Sequence, residues 1–141
     1  MKKTLIFSMV LLVLGLASCN KDQKAVKKLD GSWKATSYLI TDDGVSVDYV
    51  DQGLELTMTF DNCKLKDDEW CNLTQVLVFQ GDTETDMALY KVQGDGTQMI
   101  WKDSETSTST TTLSITELTK SNLTIVSTED GETASLVFEK L

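Results

Sequence analysis

Leu54-Glu55-Leu56-Thr57-Met58-Thr59-Phe60-Asp61 alternates apolar and polar residues from end to end. A period of two is that of a β-strand with one dry face and one wet face. Its expected partner is Trp70–Gln80, where Leu73, Leu77 and Phe79 share one face and Val76 and Val78 the other. Outward from this pair, turn signals recur at short intervals: Asp42-Asp43-Gly44, Asp51-Gln52-Gly53, Gln80-Gly81-Asp82, Gly94-Asp95-Gly96, Lys120-Ser121-Asn122 and Glu129-Asp130-Gly131. Gly, Asn and Asp tolerate the positive φ of tight hairpins. The runs between them are rich in Thr, Val, Ile, Leu and aromatic residues, which is strand composition.

The remaining expected strands are Gly31–Thr41, Val45–Val50, Thr83–Gln93, Thr97–Asp103, Thr110–Thr119, Asn122–Thr128 and Thr133–Lys140. The low-complexity run Ser104–Thr112 reads as a loop that leads into a strand near Thr110. No segment after Leu29 keeps a helical period. The expectation is therefore an all-β antiparallel meander, closed as a barrel or folded as a sandwich. Closure would remove the exposed edges of a Thr-rich sheet.

The N-terminus reads differently. Lys2 and Lys3 precede an apolar run from Leu5 to Leu16, then Ala17-Ser18-Cys19. This is a signal-peptide pattern, too short to span a bilayer that needs about 20 apolar residues. Leu16-Ala17-Ser18-Cys19 resembles the lipobox of bacterial lipoproteins. The resemblance implies cleavage after residue 18, lipidation of Cys19 and attachment to the membrane through that lipid. Asn20, in place of an Asp, favours the outer membrane under the sorting rule of some bacterial lipoproteins, hence a cell-envelope location. A secretory signal with a chance cysteine is the plainer alternative. Residues 20–28, with Lys21, Lys24, Lys27 and Lys28, read as a flexible tether with at most a weakly signalled helical turn. The chain thus divides into a signal peptide (1–18), a lipidated cysteine and tether (19–28) and one β-domain (29–141).

Removing residues 1–18 takes away two of the 13 lysines and none of the 22 acids, moving the formal charge from −9 to −11. So acidic a chain argues against nucleic acid and anionic lipid headgroups as partners. With Cys19 lipidated, Cys63 and Cys71 remain and would pair after export to an oxidising compartment. Two cysteines and no histidine do not complete a zinc site. There is also no Arg and no Pro. Without His, the commonest general base and His-activated nucleophiles are missing, so no catalysis and no catalytic residue is expected. The clusters Asp42-Asp43, Asp67-Asp68-Glu69 and Asp82-Glu84-Asp86 match no calcium-loop spacing and read as solvated turns, so no metal or other cofactor is expected.

Leu29-Asp30-Gly31-Ser32-Trp33 carries a Gly-x-Trp at the start of the first strand. It resembles the lipocalin motif. The tail, residues 115–123 and then Leu136-Val137-Phe138-Glu139-Lys140, is similar to the last strands of small bacterial lipocalin-like lipoproteins. That resemblance implies an eight-stranded up-and-down barrel with an apolar cavity. It also implies a barrel-base motif in which Trp33, with Gly31 before it, packs under a basic residue of the last strand. That residue is usually Arg; Lys140 is the only candidate here. Leu56, Met58, Phe60, Tyr90 and Trp101 are the candidate ligand-cavity residues, Tyr90 and Trp101 because each has a polar handle. Met87, Leu89 and Met99 read as core. The functional expectation is a monomeric lipid-anchored binding protein for a small apolar ligand. The alternative is a filled barrel that serves as a structural or protein-interaction lipoprotein.

Overall fold

In a computed structural model the described residues are 21–65 and 69–141. The expected signal peptide (1–18), the expected lipidation site Cys19 and the Asp67-Asp68 pair lie outside them. The strands are β1 (Gly31–Asp42), β2 (Val45–Asp48), β3 (Glu55–Phe60), β4 (Cys71–Phe79), β5 (Asp82–Gln93), β6 (Gln98–Lys102), β7 (Thr111–Leu118), β8 (Asn122–Glu129) and β9 (Glu132–Lys140). All pair antiparallel in one sheet, and β1 also pairs with β9, which closes the ring. β2 and β3 lie end to end along one edge of β1: Ile40 faces Val47 above, and Trp33 faces Met58 below. They fill one strand position together, so nine strands make the expected eight-stranded barrel.

The break between β2 and β3 is organised by Asp48. One carboxylate oxygen accepts the backbone N–H groups of Tyr38 and Val50, both at 3.0 Å, and the other accepts the Ser37 hydroxyl. The Ser37 bond, with the backbone N–H bonds behind it, holds this carboxyl below the usual aspartate range. At the same end of the barrel, Asp130-Gly131 joins β8 to β9 with φ of 50° and 89°, the paired positive values of a type I′ turn. Asp43-Gly44 and Gln80-Gly81 repeat that pairing.

The opposite end, the base, holds the first correction. Residues 21–29 are not a tether but a helix, α1, whose Ala25, Val26 and Leu29 are buried in the main core cluster. The lysines mask this stripe in the sequence. The helix is fastened on three sides. Gln23 donates from Nε2 to the Cys63 carbonyl at 2.8 Å and accepts from Leu65 N–H at 3.0 Å. Asp22 accepts from Gly96 N–H at 2.7 Å. Its last carbonyl, Leu29 O, accepts the indole N–H of Trp33 at 2.7 Å, which satisfies both the helix end and a buried donor.

Two further expectations are revised. Met87 is 72% exposed on the outer face of β5, not in the core. Trp70 precedes β4 and lies on the outside of the barrel, with Lys91 Nζ and Lys102 Nζ each 4.6 Å from its ring centroid. The loop after β6 ends where β7 begins at Thr111, close to the expected Thr110.

Because Leu29 is fully buried, Leu29→Ala should cost about 2–5 kcal/mol in denaturant unfolding, while Lys27→Ala should stay within about 0.5 kcal/mol. A tether would show no difference between the two.

Candidate functional site

Residues opposite each other across an antiparallel pair share a face, so register sorts the side chains that point into the barrel. Trp33 faces Met58; Phe60 faces Leu73; Cys71 faces Tyr90; Met99 faces Leu113; Ile125 faces Leu136. All are buried, and all belong to the half of the barrel nearer the base. The largest fully buried side chains are Trp33, Tyr90, Phe60 and Phe138. This half is a packed floor. Phe60 and Tyr90 meet edge to face at 5.2 Å between centroids, and the Tyr90 hydroxyl donates to Asp61 O at 2.8 Å. Burial first, then the carboxylates of Asp30 and Asp61, pushes the Tyr90 phenol well above its ordinary value.

At the bottom of the floor, Trp33 sits with Lys140 Nζ 5.2 Å from its ring centroid, within cation–π range. The same ammonium donates to Lys28 O at 3.2 Å. Gly31, with φ of 115°, leaves room for this side chain, since a Cβ there would stand 3.1 Å from Lys140 Cε. The Cys63–Cys71 disulfide, with its Cα atoms 5.3 Å apart, closes the loop at this end.

Of the sequence-derived cavity candidates, Leu56, Met58, Phe60 and Tyr90 lie together inside the packed floor. Trp101 does not. It pairs with Tyr90 but is half-buried, at the level where the floor ends. Above it the inner face changes character. Tyr38 faces Leu136, Leu77 faces Leu56, and Phe79 lies one inward position beyond Leu77. Tyr38, Leu77, Phe79, Ala88 and Trp101 are partly exposed and packed on the core from above. The site is therefore a half-buried apolar face resting on a solid floor. Sequence reasoning grouped Leu77 and Phe79 on one strand face but missed Tyr38, because alternation from Trp33 puts position 38 on the outer face and only the bulge between Ala35 and Ser37 brings it inward.

The wall around this face is uneven. β6 pairs with β5 only over Gln93–Leu89, and β7 begins opposite Trp101. Above that level β5 keeps β4 as its strand partner but has no β6 beside it, so the mouth opens sideways past Trp101 and residues 103–110. Asp82, Glu84 and Asp86 face Phe79, Leu77 and Gln75, putting carboxylates on the same side as the apolar face. Among the described residues no three His, Cys, Asp or Glu side chains are grouped as metal ligands.

A closed antiparallel meander with a helix across one end and a tryptophan under a lysine at its base is a lipocalin-like barrel. Solved structures agree. A crystal structure of a lipocalin-like protein from Bacteroides uniformis ATCC 8492 matches with a TM-score of 0.54 and 16% identity, over 81% of this chain and 99% of that one. The siderocalin Ex-FABP, described as functioning through dual ligand specificities, matches with a TM-score of 0.53 and 12% identity, over 81% of this chain and 74% of that one. At such identities the likeness is one of fold. No protein-family model and no curated protein matches the chain.

Tyr90 supplies a pH test of the floor. Its folded value is raised, so its contribution to stability is complete below the unfolded tyrosine value of about 10 and is lost as pH rises beyond it. Stability measured by urea unfolding should fall above about pH 10. In Tyr90→Phe that alkaline slope should flatten, at the cost of the bond to Asp61.

Proposed function

We propose that the protein is a lipid-anchored binding protein of the bacterial cell envelope, without catalytic activity, that holds a small apolar ligand on the upper inner face of its barrel. The observation that carries the ligand reading is the change of level inside the barrel. Below Trp101 the interior is filled by its own side chains; above it, Tyr38, Leu77 and Phe79 on the inner side of the wall remain partly exposed. An eight-stranded barrel is just wide enough either to be filled or to admit one small ligand. This chain combines the two along its axis. A ligand would rest on the floor and lean on the aromatic side chains of Tyr38, Phe79 and Trp101.

The anchor reading rests on Leu16-Ala17-Ser18-Cys19 and the apolar run before it. Several acyl chains on Cys19 would hold the protein firmly, at about 0.8 kcal/mol for each buried methylene. The outer membrane is the proposed location, on the strength of Asn20, and the monomer is the proposed form. A filled barrel that meets a protein partner is the competing reading, favoured by the extent of the packed floor.

Native mass spectrometry of protein purified from its own host should find a co-purified small molecule. An apolar fluorescent probe should brighten on binding, and Leu77→Asp and Trp101→Ala should each weaken it about tenfold or more while the circular dichroism of the sheet is kept. A protein that arrives empty and leaves the probe dark would overturn the reading in favour of a protein partner. Separately, the mass of membrane-extracted protein should show Cys19 acylated, and Cys19→Ala should release the chain from the membrane fraction.

A further inference from the structure

Although the chain is strongly acidic, α1 is locally basic, with four lysines against Asp22. Asp42, Asp43, Asp82, Glu84, Asp130 and Glu132 lie at or near the mouth. The lysines of α1 lie at the base. Lys21, Lys24 and Lys28, spaced three and four apart, fall on one side of the helix and line a surface cleft of about 230 Å³ with Ala25, Asp95, Gly96 and Leu118. The neighbouring carboxylates are engaged: Asp22 by Gly96 N–H, and Asp95 by Lys21 at 3.5 Å. Among the described residues Lys24 and Lys28 have no carboxylate within ion-pair distance. Lys27 on α1 and Lys120 in the β7–β8 turn are exposed at the same end, which also carries Asp30, Asp61, Glu117 and Glu139. The basic patch is therefore confined to the α1 face.

We propose that this α1 face docks on an anionic phospholipid bilayer, with a lipid phosphate held between Lys24 and Lys28, so that the mouth points away from the membrane. Chain length is the first argument. With residues 21–29 folded onto the barrel, only Asn20 separates Cys19 from α1. Two residue steps span at most about 7 Å, so an anchor at Cys19 holds this face at the headgroups. The second argument is distance. β1 has 12 residues, and at the rise and tilt of barrel strands the acidic mouth lies roughly 30 Å from the base. That exceeds several screening lengths of about 8 Å at physiological salt, so the mouth does not repel the membrane that the lysines meet. Net charge argued against anionic lipid; the local charge of α1, four lysines against an Asp22 already engaged by Gly96 N–H, favours it for that one face. The proposal rests on the Cys19 anchor for its place in the cell, whereas its chemistry is that of the lysines.

The test uses the full chain, extracted from its host, on vesicles of phosphatidylcholine with or without phosphatidylglycerol. Lysines are labelled by a water-soluble amine reagent and read individually by mass spectrometry. Lys24 and Lys28 should label about fivefold or more slowly on the anionic vesicles, and Lys34 and Lys102 on the barrel wall at equal rates on both. In Lys24→Glu/Lys28→Glu the protection of Lys27 and Lys120 should disappear; Lys34→Glu/Lys102→Glu, with the same charge change, should keep it. Equal labelling of Lys24 and Lys28 on the two vesicles would overturn the proposal. So would equal protection by inorganic phosphate alone, which would make the cleft a soluble-anion site. The intact mass reports Cys19 acylation independently, so failure of the anchor and failure of the docking face are told apart.

Discussion

Trp33 is the point on which the molecule turns. Its backbone lies between β3 and β9, so it sits where the first strand meets the last and the ring closes. Its indole N–H reaches the last carbonyl of α1, and its ring lies beneath the ammonium of Lys140. One fully buried side chain thus joins the N-terminal helix, the first strand and the C-terminal strand. Full burial of so large a ring contributes about 2–3 kcal/mol by area alone, and the single hydrogen bond keeps its polar edge from becoming a penalty. The base is where the two ends of the chain are held together. A lysine in place of the usual arginine keeps the cationic contact with the ring and uses another of its donors on Lys28 O, so the planar fork of arginine is not needed for this closure.

From that base the barrel is filled for about half its height. The large inward residues of β3, β4, β5 and β9 gather near the helix, and the bulge in β1 between Ala35 and Ser37 turns the strand so that Tyr38 faces inward above them. Above Trp101 the inward side chains are only partly buried and one wall drops, because β6 and β7 form a short hairpin joined by a Ser/Thr-rich loop. The floor supplies stability and the upper face supplies accessible apolar surface. In this fold the two roles are separated along the barrel axis rather than between layers.

Much of this was legible in residues taken locally. The alternation in Leu54–Asp61 reappears as β3 with Leu56, Met58 and Phe60 inward, and the Asx-Gly turns lie where hairpins were expected. The Cys63–Cys71 pair was legible because only these two cysteines remain once Cys19 is set aside. The helix was not legible. Its buried stripe is only Ala25, Val26 and Leu29 among four lysines, and it is stable because Trp33, Cys63, Leu65 and Gly96 offer partners from distant parts of the chain. Met87 was misplaced for a related reason: an apolar side chain on the wet face of a strand has the same local signature as one out of phase.

The strands, their faces and their turns follow from local sequence, because alternation and positive-φ residues act over a few neighbours. The tertiary structure alone decided height. Whether an inward residue belongs to the sealed floor or to the open face depends on the stagger between neighbouring strands as the sheet closes, and that stagger is a property of the whole ring. So Leu56 and Leu77, both inward and directly opposed, differ in exposure. The placing of the helix lysines at the base has the same origin: no local pattern records which end of a barrel a residue will occupy.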